Sequence, residues 1–198
     1  MGFAFGEQGK LTLVRLRGNQ VVESFPLDPL FKNGLDNPSE GESAVLRLYD
    51  VLPKDMDIED PALLEKRLRS RAKAEVMQIV DYNHDGQASE FFLQIGTLPC
   101  GKRMGVVIGI TPSQPKLHVF GTAAHPEIPL TMEEREWKAL LHSAGPFRII
   151  DWPCGDHGSE TETELEIQAA RDGIHVTRSA YKCTELEKRG ALVKQEID

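Results

Sequence analysis

The sequence predicts an α+β fold, mainly antiparallel β-sheet with two helices, and three observations point to it. Short β-rich runs recur about every ten residues between turn signals. Gly18-Asn19 and Asp172-Gly173 each sit between such runs with the composition of a two-residue hairpin turn. Only residues 61–74 and 131–143 combine helical spacing of apolar residues with a helix start signal. One domain over residues 1–198 is expected, and the alternative is two lobes dividing near 125–130.

Taken in order, Leu11 to Arg17 and Gln20 to Phe25 form the opening hairpin. Pro26 to Glu42 mixes Pro, Asp, Asn, Gly and Ser and reads as a loop, and Ala44 to Val51 alternates like a strand. After the acidic connector Pro53 to Asp60, Asp60-Pro61 supplies an N-cap and a first-turn proline. Leu63, Leu64, Leu68 and Ala72 then repeat at helical spacing beside Lys66, Arg67, Arg69, Arg71 and Lys73. With no aromatic residues interleaved, that basic row reads as a solvated face rather than an anion site. Val76 to Asp81, Phe91 to Gly96, Met104 to Ile110 and Leu117 to Phe120 are the next predicted strands. Thr131 with Glu134 three residues on is a capping-box pattern that opens the second helix, which carries Trp137, Leu140 and Leu141 and stops at Gly145-Pro146. Phe147 to Trp152, Glu164 to Ala170, Ile174 to Tyr181 and Ala191 to Glu196 complete the strands.

Composition excludes several classes. Of 198 residues, 40% are hydrophobic and 27% charged, enough apolar surface for a core, so wholesale disorder is excluded. The net charge of −8 argues against nucleic acid or an anionic membrane as the main partner, because both reward clustered Lys and Arg. No apolar run approaches the roughly 20 residues of a membrane span. Met1 to Lys10 lacks the charged and apolar regions of a secretory leader, although a Met-Gly start also fits a leader that has been cut off and replaced.

The chemistry-bearing segment is Asp81-Tyr82-Asn83-His84-Asp85-Gly86-Gln87-Ala88-Ser89-Glu90. Oxygen-bearing side chains stand at positions 1, 3 and 5, and glycine stands at 6. A hard cation such as Ca²⁺ takes six to eight oxygens at about 2.3–2.6 Å, which this spacing supplies by turning alternate side chains inward while glycine takes the sharp turn. The ten residues resemble the DxDxDG calcium loops of EF-hands, dockerins and FG-GAP or VCBS repeats. Carried over position by position, the resemblance makes Asp81, Asn83 and Asp85 side-chain ligands and Gln87 a ligand through its carbonyl. The late ligand departs from both patterns: EF-hand position 12 is Phe92 and FG-GAP position 9 is Ser89, so either Ser89 or Glu90 completes the shell. The aromatic and β-rich residues Phe91 to Gly96 favour the strand-loop-strand setting of the FG-GAP type over an exiting helix. The competing expectation is a polar turn in which Asp81, Asn83 and Asp85 only satisfy backbone amides.

Asp151 to Glu160 forms a second, weaker cluster. Cys154 with His157, beside Asp156, has the residue types of a hydrolase or thiol site, or of half a zinc site, but nothing nearby lowers the thiol pKa and no second Cys-x-x-His pair completes a tetrahedral site. Cys100 and Cys154 both lie in Pro-Cys-Gly turns that accommodate a disulfide. Cys154 and Cys183 are the expected pair, each ending a strand, with Cys100 left as a thiol. His118, His125, His142 and His175 carry no ligand pattern, and Trp137 and Trp152 read as packing residues. Together these features predict a non-enzymatic, calcium-binding, β-rich extracytoplasmic module of bacterial type that binds an unidentified protein or glycan or serves as structural support. The alternatives are an enzyme centred on Cys154, Asp156 and His157 and a cytoplasmic protein-interaction domain.

Overall fold

A computed structural model describes residues 5–32, 44–49, 53–55, 57–72, 76–97, 102–170 and 173–198. The chain falls into two compact units, crossing between them several times. Residues 1–79, 89–118 and 131–134 make the first unit, and residues 80–88, 119–130 and 135–198 make the second.

In the first unit, β1 (Phe5–Gly9) pairs antiparallel with β4 (Ala44–Tyr49), and β2 (Thr12–Arg17) with β3 (Gln20–Pro26). Gly18, at φ +60°, takes the left-handed position that the predicted hairpin turn requires. Arg15 and Glu23 pair across this hairpin at 3.2 Å. Arg15 also donates to the Pro115 carbonyl, and Glu23 accepts the Leu117 N–H. A short helix, α1 (Asp28–Lys32), occupies part of the predicted loop and buries Leu30 and Phe31. The main ladder is β5 (Glu90–Thr97) against β6 (Arg103–Gly109), where Phe91, Leu93, Ile95, Val106, Val107 and Ile108 are buried. β7 (His118–Val119) continues that sheet, and β8 (Met132–Glu133) pairs with β6. Gly105 is required in β6, since a Cβ there would lie 2.5 Å from the Leu93 carbonyl oxygen as well as 2.3 Å from the Phe92 ring.

Helix α2 (Pro61–Arg69) starts as predicted, with Asp60 accepting the Ala62 N–H at 2.9 Å and Pro61 in the first turn. It stops before residue 74 because Ser70 caps it, its hydroxyl bonded to the Arg67 carbonyl, and Arg71 turns away to Asp55. The basic face is therefore partly structural: Arg67 and Arg71 both close on the fully buried Asp55, at 3.1 and 2.6 Å. Residues 76–79 do not form the expected strand. Met77 and Ile79 stay about half exposed and line an apolar cleft of about 400 Å³ with Leu13, Leu16 and Leu117, so the alternation there serves no sheet face.

Helix α3 (Glu134–His142), in the second unit from Arg135 onward, buries Trp137 and Leu140. It begins three residues later than the Thr131 capping pattern predicts, because Met132 and Glu133 are drawn into pairing with Gly105 and Met104 of β6. β9 (Phe147–Trp152), β10 (Thr161–Ala170), β11 (Gly173–Cys183) and β12 (Arg189–Ile197) form an antiparallel sheet in the order β12-β11-β10-β9. β10 and β11 do form the predicted hairpin, but Ala170 lies opposite Gly173, so Gly173 opens β11 instead of sitting in the expected Asp172-Gly173 turn; residues 171–172 fall outside the described set. Leu165, Ile167, Ile174 and Val176 bury one face. On the other, Arg189 donates to Glu162 and Glu164 with its guanidinium 4.4 Å from the Tyr181 ring centroid. Hydrogen bonding to Glu162, then to Glu164, raises the Arg189 pKa above its ordinary value.

Candidate metal centre

The chain between Asp81 and Gln87 curls tightly. Two residues take left-handed backbone, His84 at φ +57° and Gly86 at φ +91°. Glycine does so without steric cost, whereas an exposed histidine does so under local strain. Alternation sorts the side chains. Tyr82 leaves the loop for the core of the second unit, where its ring meets the fully buried Trp137 edge-on with centroids 5.6 Å apart. That contact ties the loop to α3.

Asp81, Asn83 and Asp85 are brought together by a shared set of amides. The Asp81 carboxylate accepts the Asp85 N–H at 3.1 Å with one oxygen and the Gly86 N–H at 2.9 Å with the other. The Asn83 carbonyl oxygen accepts the same Asp85 N–H at 3.0 Å, and the Asn83 amide nitrogen donates to Asp85 Oδ2 at 3.3 Å. Asp85 Oδ1 accepts the Gln87 N–H at 2.8 Å. Asn83 is buried, and Asp81 and Asp85 are half-buried. The backbone-satisfying role expected of a polar turn is thus present in all three residues.

These bonds leave coordination capacity. Each of the four Asp81 and Asp85 carboxylate oxygens makes one described hydrogen bond, and a carboxylate oxygen has two lone pairs. An all-oxygen set of two carboxylates and an amide carbonyl is the chemistry of a hard cation such as Ca²⁺, and it offers nothing to a thiophilic metal. Among the described residues, no three His, Cys, Asp or Glu side chains are grouped to hold a metal ion. In the loop, Asp81 and Asp85 are the two carboxylates that share the hydrogen-bonded group, with the Asn83 amide beside them.

Ser89 and Glu90, the two expected late ligands, belong to the first unit. The Ser89 hydroxyl lies 2.9 Å from the Ile110 carbonyl and also hydrogen-bonds Glu90, whose side chain is fully buried. Sequence reasoning missed Tyr82 as the anchor of the loop, although an aromatic residue between two inward-facing ligand positions was a signal of it.

The second cluster is built differently. Cys154 and Cys183 are joined by a disulfide, with Cα atoms 5.6 Å apart. Cys154 therefore has no thiol to ionise, which removes the nucleophile of the enzymatic alternative. Cys100, with the Pro99 to Gly101 turn, lies outside the described residues. His157, at φ +50°, pairs with Asp156 at 2.9 Å and lies against the half-exposed Trp152 ring, centroids 5.6 Å apart. The chain matches no protein family, no curated protein and no solved structure, so the functional reading rests on the loop and the fold alone.

Proposed function

We propose that the segment Asp81 to Glu90 binds calcium, and that the protein is a calcium-stabilised, β-rich module acting outside the cytoplasm in a binding or structural role. One observation carries the reading. The Asp81 carboxylate reaches across the loop to the amides of Asp85 and Gly86, a curl that holds the side chains of positions 1, 3 and 5 in one hydrogen-bonded group. Asp81, Asn83 and Asp85 would hold the ion through side-chain oxygens and Gln87 through its carbonyl. The ion would supply positive charge to offset the repulsion of two half-buried carboxylates on one short loop. The protein's share is to preorganise them, by the amide bonds and by the Tyr82 ring packed on Trp137.

The Cys154–Cys183 disulfide supports an extracytoplasmic setting, where such bonds persist and where Ca²⁺ is abundant enough for an incomplete ligand set to fill, with dissociation constants of about 0.1–1 mM for extracellular modules. Calorimetric titration of chelator-treated protein tests the reading. Heat saturating at one Ca²⁺ per chain, abolished by Asp85→Ala, is the expected result. Absence of binding at millimolar Ca²⁺ contradicts it.

A further inference from the structure

The β12 edge of the β12-β11-β10-β9 sheet pairs with no further strand among the described residues and carries an inference independent of the loop. All nine residues of β12 are exposed, including Val193 at 64% and Ile197 at 76%. Asp198 and Val176 exchange both of their main-chain hydrogen bonds. Because antiparallel ladders alternate, Glu196 and Lys194, opposite Arg178 and Ala180, also turn their N–H and C=O groups toward β11, whereas Gln195 and Ile197 turn theirs outward. The register slips between Ala180 and Tyr181, which makes Val193 the extra residue of a bulge and ends the regular edge there.

We propose that this edge pairs antiparallel with the same edge of a second copy of the chain, about a two-fold axis at Gln195, so that the two sheets run on as one. Charge selects the register. Outward-facing residues must meet outward-facing residues, so the allowed registers have their axis on a single residue. An axis on Lys194 sets it against the partner's Lys194, and one on Glu196 sets it against the partner's Glu196. An axis on Ile197 sets Glu196 against the partner's Asp198, and one on Val193 falls on the bulge. Only the axis on Gln195 sets Lys194 against Glu196 of the partner subunit, and does so twice. Lys194 and Glu196 already pair within one strand, so the dimer would assemble four alternating charges on one face. On the other face Ile197 falls beside the partner's Val193, covering two of the most exposed apolar side chains. Gln195 and its symmetry mate exchange the central hydrogen bonds.

One strand edge is a small interface, so association in the micromolar to millimolar range is expected. Sedimentation equilibrium of the full oxidised chain between about 10 µM and 1 mM should show reversible dimerisation. Lys194→Glu and Glu196→Lys should each weaken it roughly tenfold or more, and the double variant Lys194→Glu/Glu196→Lys should recover it. Melting temperatures near that of the wild type verify that the variants fold. In the wild type, the amides of Gln195 and Ile197 should exchange more slowly as concentration rises. A chain that stays monomeric throughout, a dimer indifferent to either single reversal, a double variant that does not recover, or amide exchange independent of concentration would each overturn the proposal.

Discussion

Asp81 and Gly86 are joined across the loop by a hydrogen bond of 2.9 Å from the Gly86 amide to the Asp81 carboxylate. The bond exists because Gly86 occupies backbone at φ +91°, with nothing within 4 Å of where a Cβ would stand. Gly86→Ala therefore meets no clash and is penalised by backbone conformation alone, by roughly 1–2 kcal/mol. His84→Gly, at φ +57° on the same loop, should do the reverse and raise stability by about 0.5–1 kcal/mol. Urea unfolding of the two variants checks the pair of opposite signs, and a loss in both would show that the His84 side chain stabilises the loop.

The disulfide separates its cysteines by 29 residues. Cross-linking a loop of that length stabilises the native state by about 3–4 kcal/mol on the chain-entropy account. Cys154→Ala with Cys183→Ala should lower the unfolding free energy by that order without abolishing the sheet, since β10 and β11 stay in register over ten residue pairs. Thiol titration of the denatured, unreduced chain should find one thiol of the three cysteines. Three would refute the bridge.

Asp55 is buried beneath Arg67 and Arg71, which keep 40% and 25% of their side-chain surface in water. Asp55→Ala leaves two guanidinium groups that can turn to solvent, so a cost of roughly 2–4 kcal/mol is expected, below the most severe losses from breaking buried pairs. Arg67→Ala alone should cost less than Arg71→Ala, because Arg71 meets both Asp55 oxygens, at 2.7 and 2.6 Å. Thermal melts of the three variants rank them, and the order Asp55, Arg71, Arg67 is the prediction.

The ladder on the polar face of the β12-β11-β10-β9 sheet gives a further test. Arg189 neutralises Glu162 and Glu164, whose side chains are nearly buried. Arg189→Ala leaves two like charges on adjacent positions of one strand face and should cost about 1–2 kcal/mol, whereas Arg189→Lys should recover part of it. The recovery separates the role of the charge from that of packing on Tyr181.

Local signals were legible in the sequence and long-range ones were not. The Gly18-Asn19 hairpin, the Asp60 cap and the strands from Phe91 onward follow from neighbours in the chain, and the structure has them. The antiparallel β-rich character follows from the same runs. β1 was missed because Phe5-Gly6-Glu7-Gln8-Gly9 has two glycines and no alternation, and its pairing with β4 is decided far along the chain. The capping pattern at Thr131 was overridden by tertiary pairing of Met132 and Glu133 with β6. The spacing of Asp81, Asn83 and Asp85 was readable, but not the bond of Ser89 to Ile110, 21 residues away.

Calcium held by Asp81, Asn83 and Asp85 should show itself in the stability of the fold. A ligand that binds only the folded state raises its stability by mass action, by about 1.4 kcal/mol when the ion is near ten times its dissociation constant. The most direct measurement is the melting temperature after EDTA treatment, followed through added Ca²⁺ to 10 mM, an order of magnitude above the roughly millimolar affinity expected of extracellular sites. A saturable rise is expected in the wild type and none in Asp85→Ala. A wild-type melting curve that Ca²⁺ does not move, or equal shifts in wild type and Asp85→Ala, would contradict it.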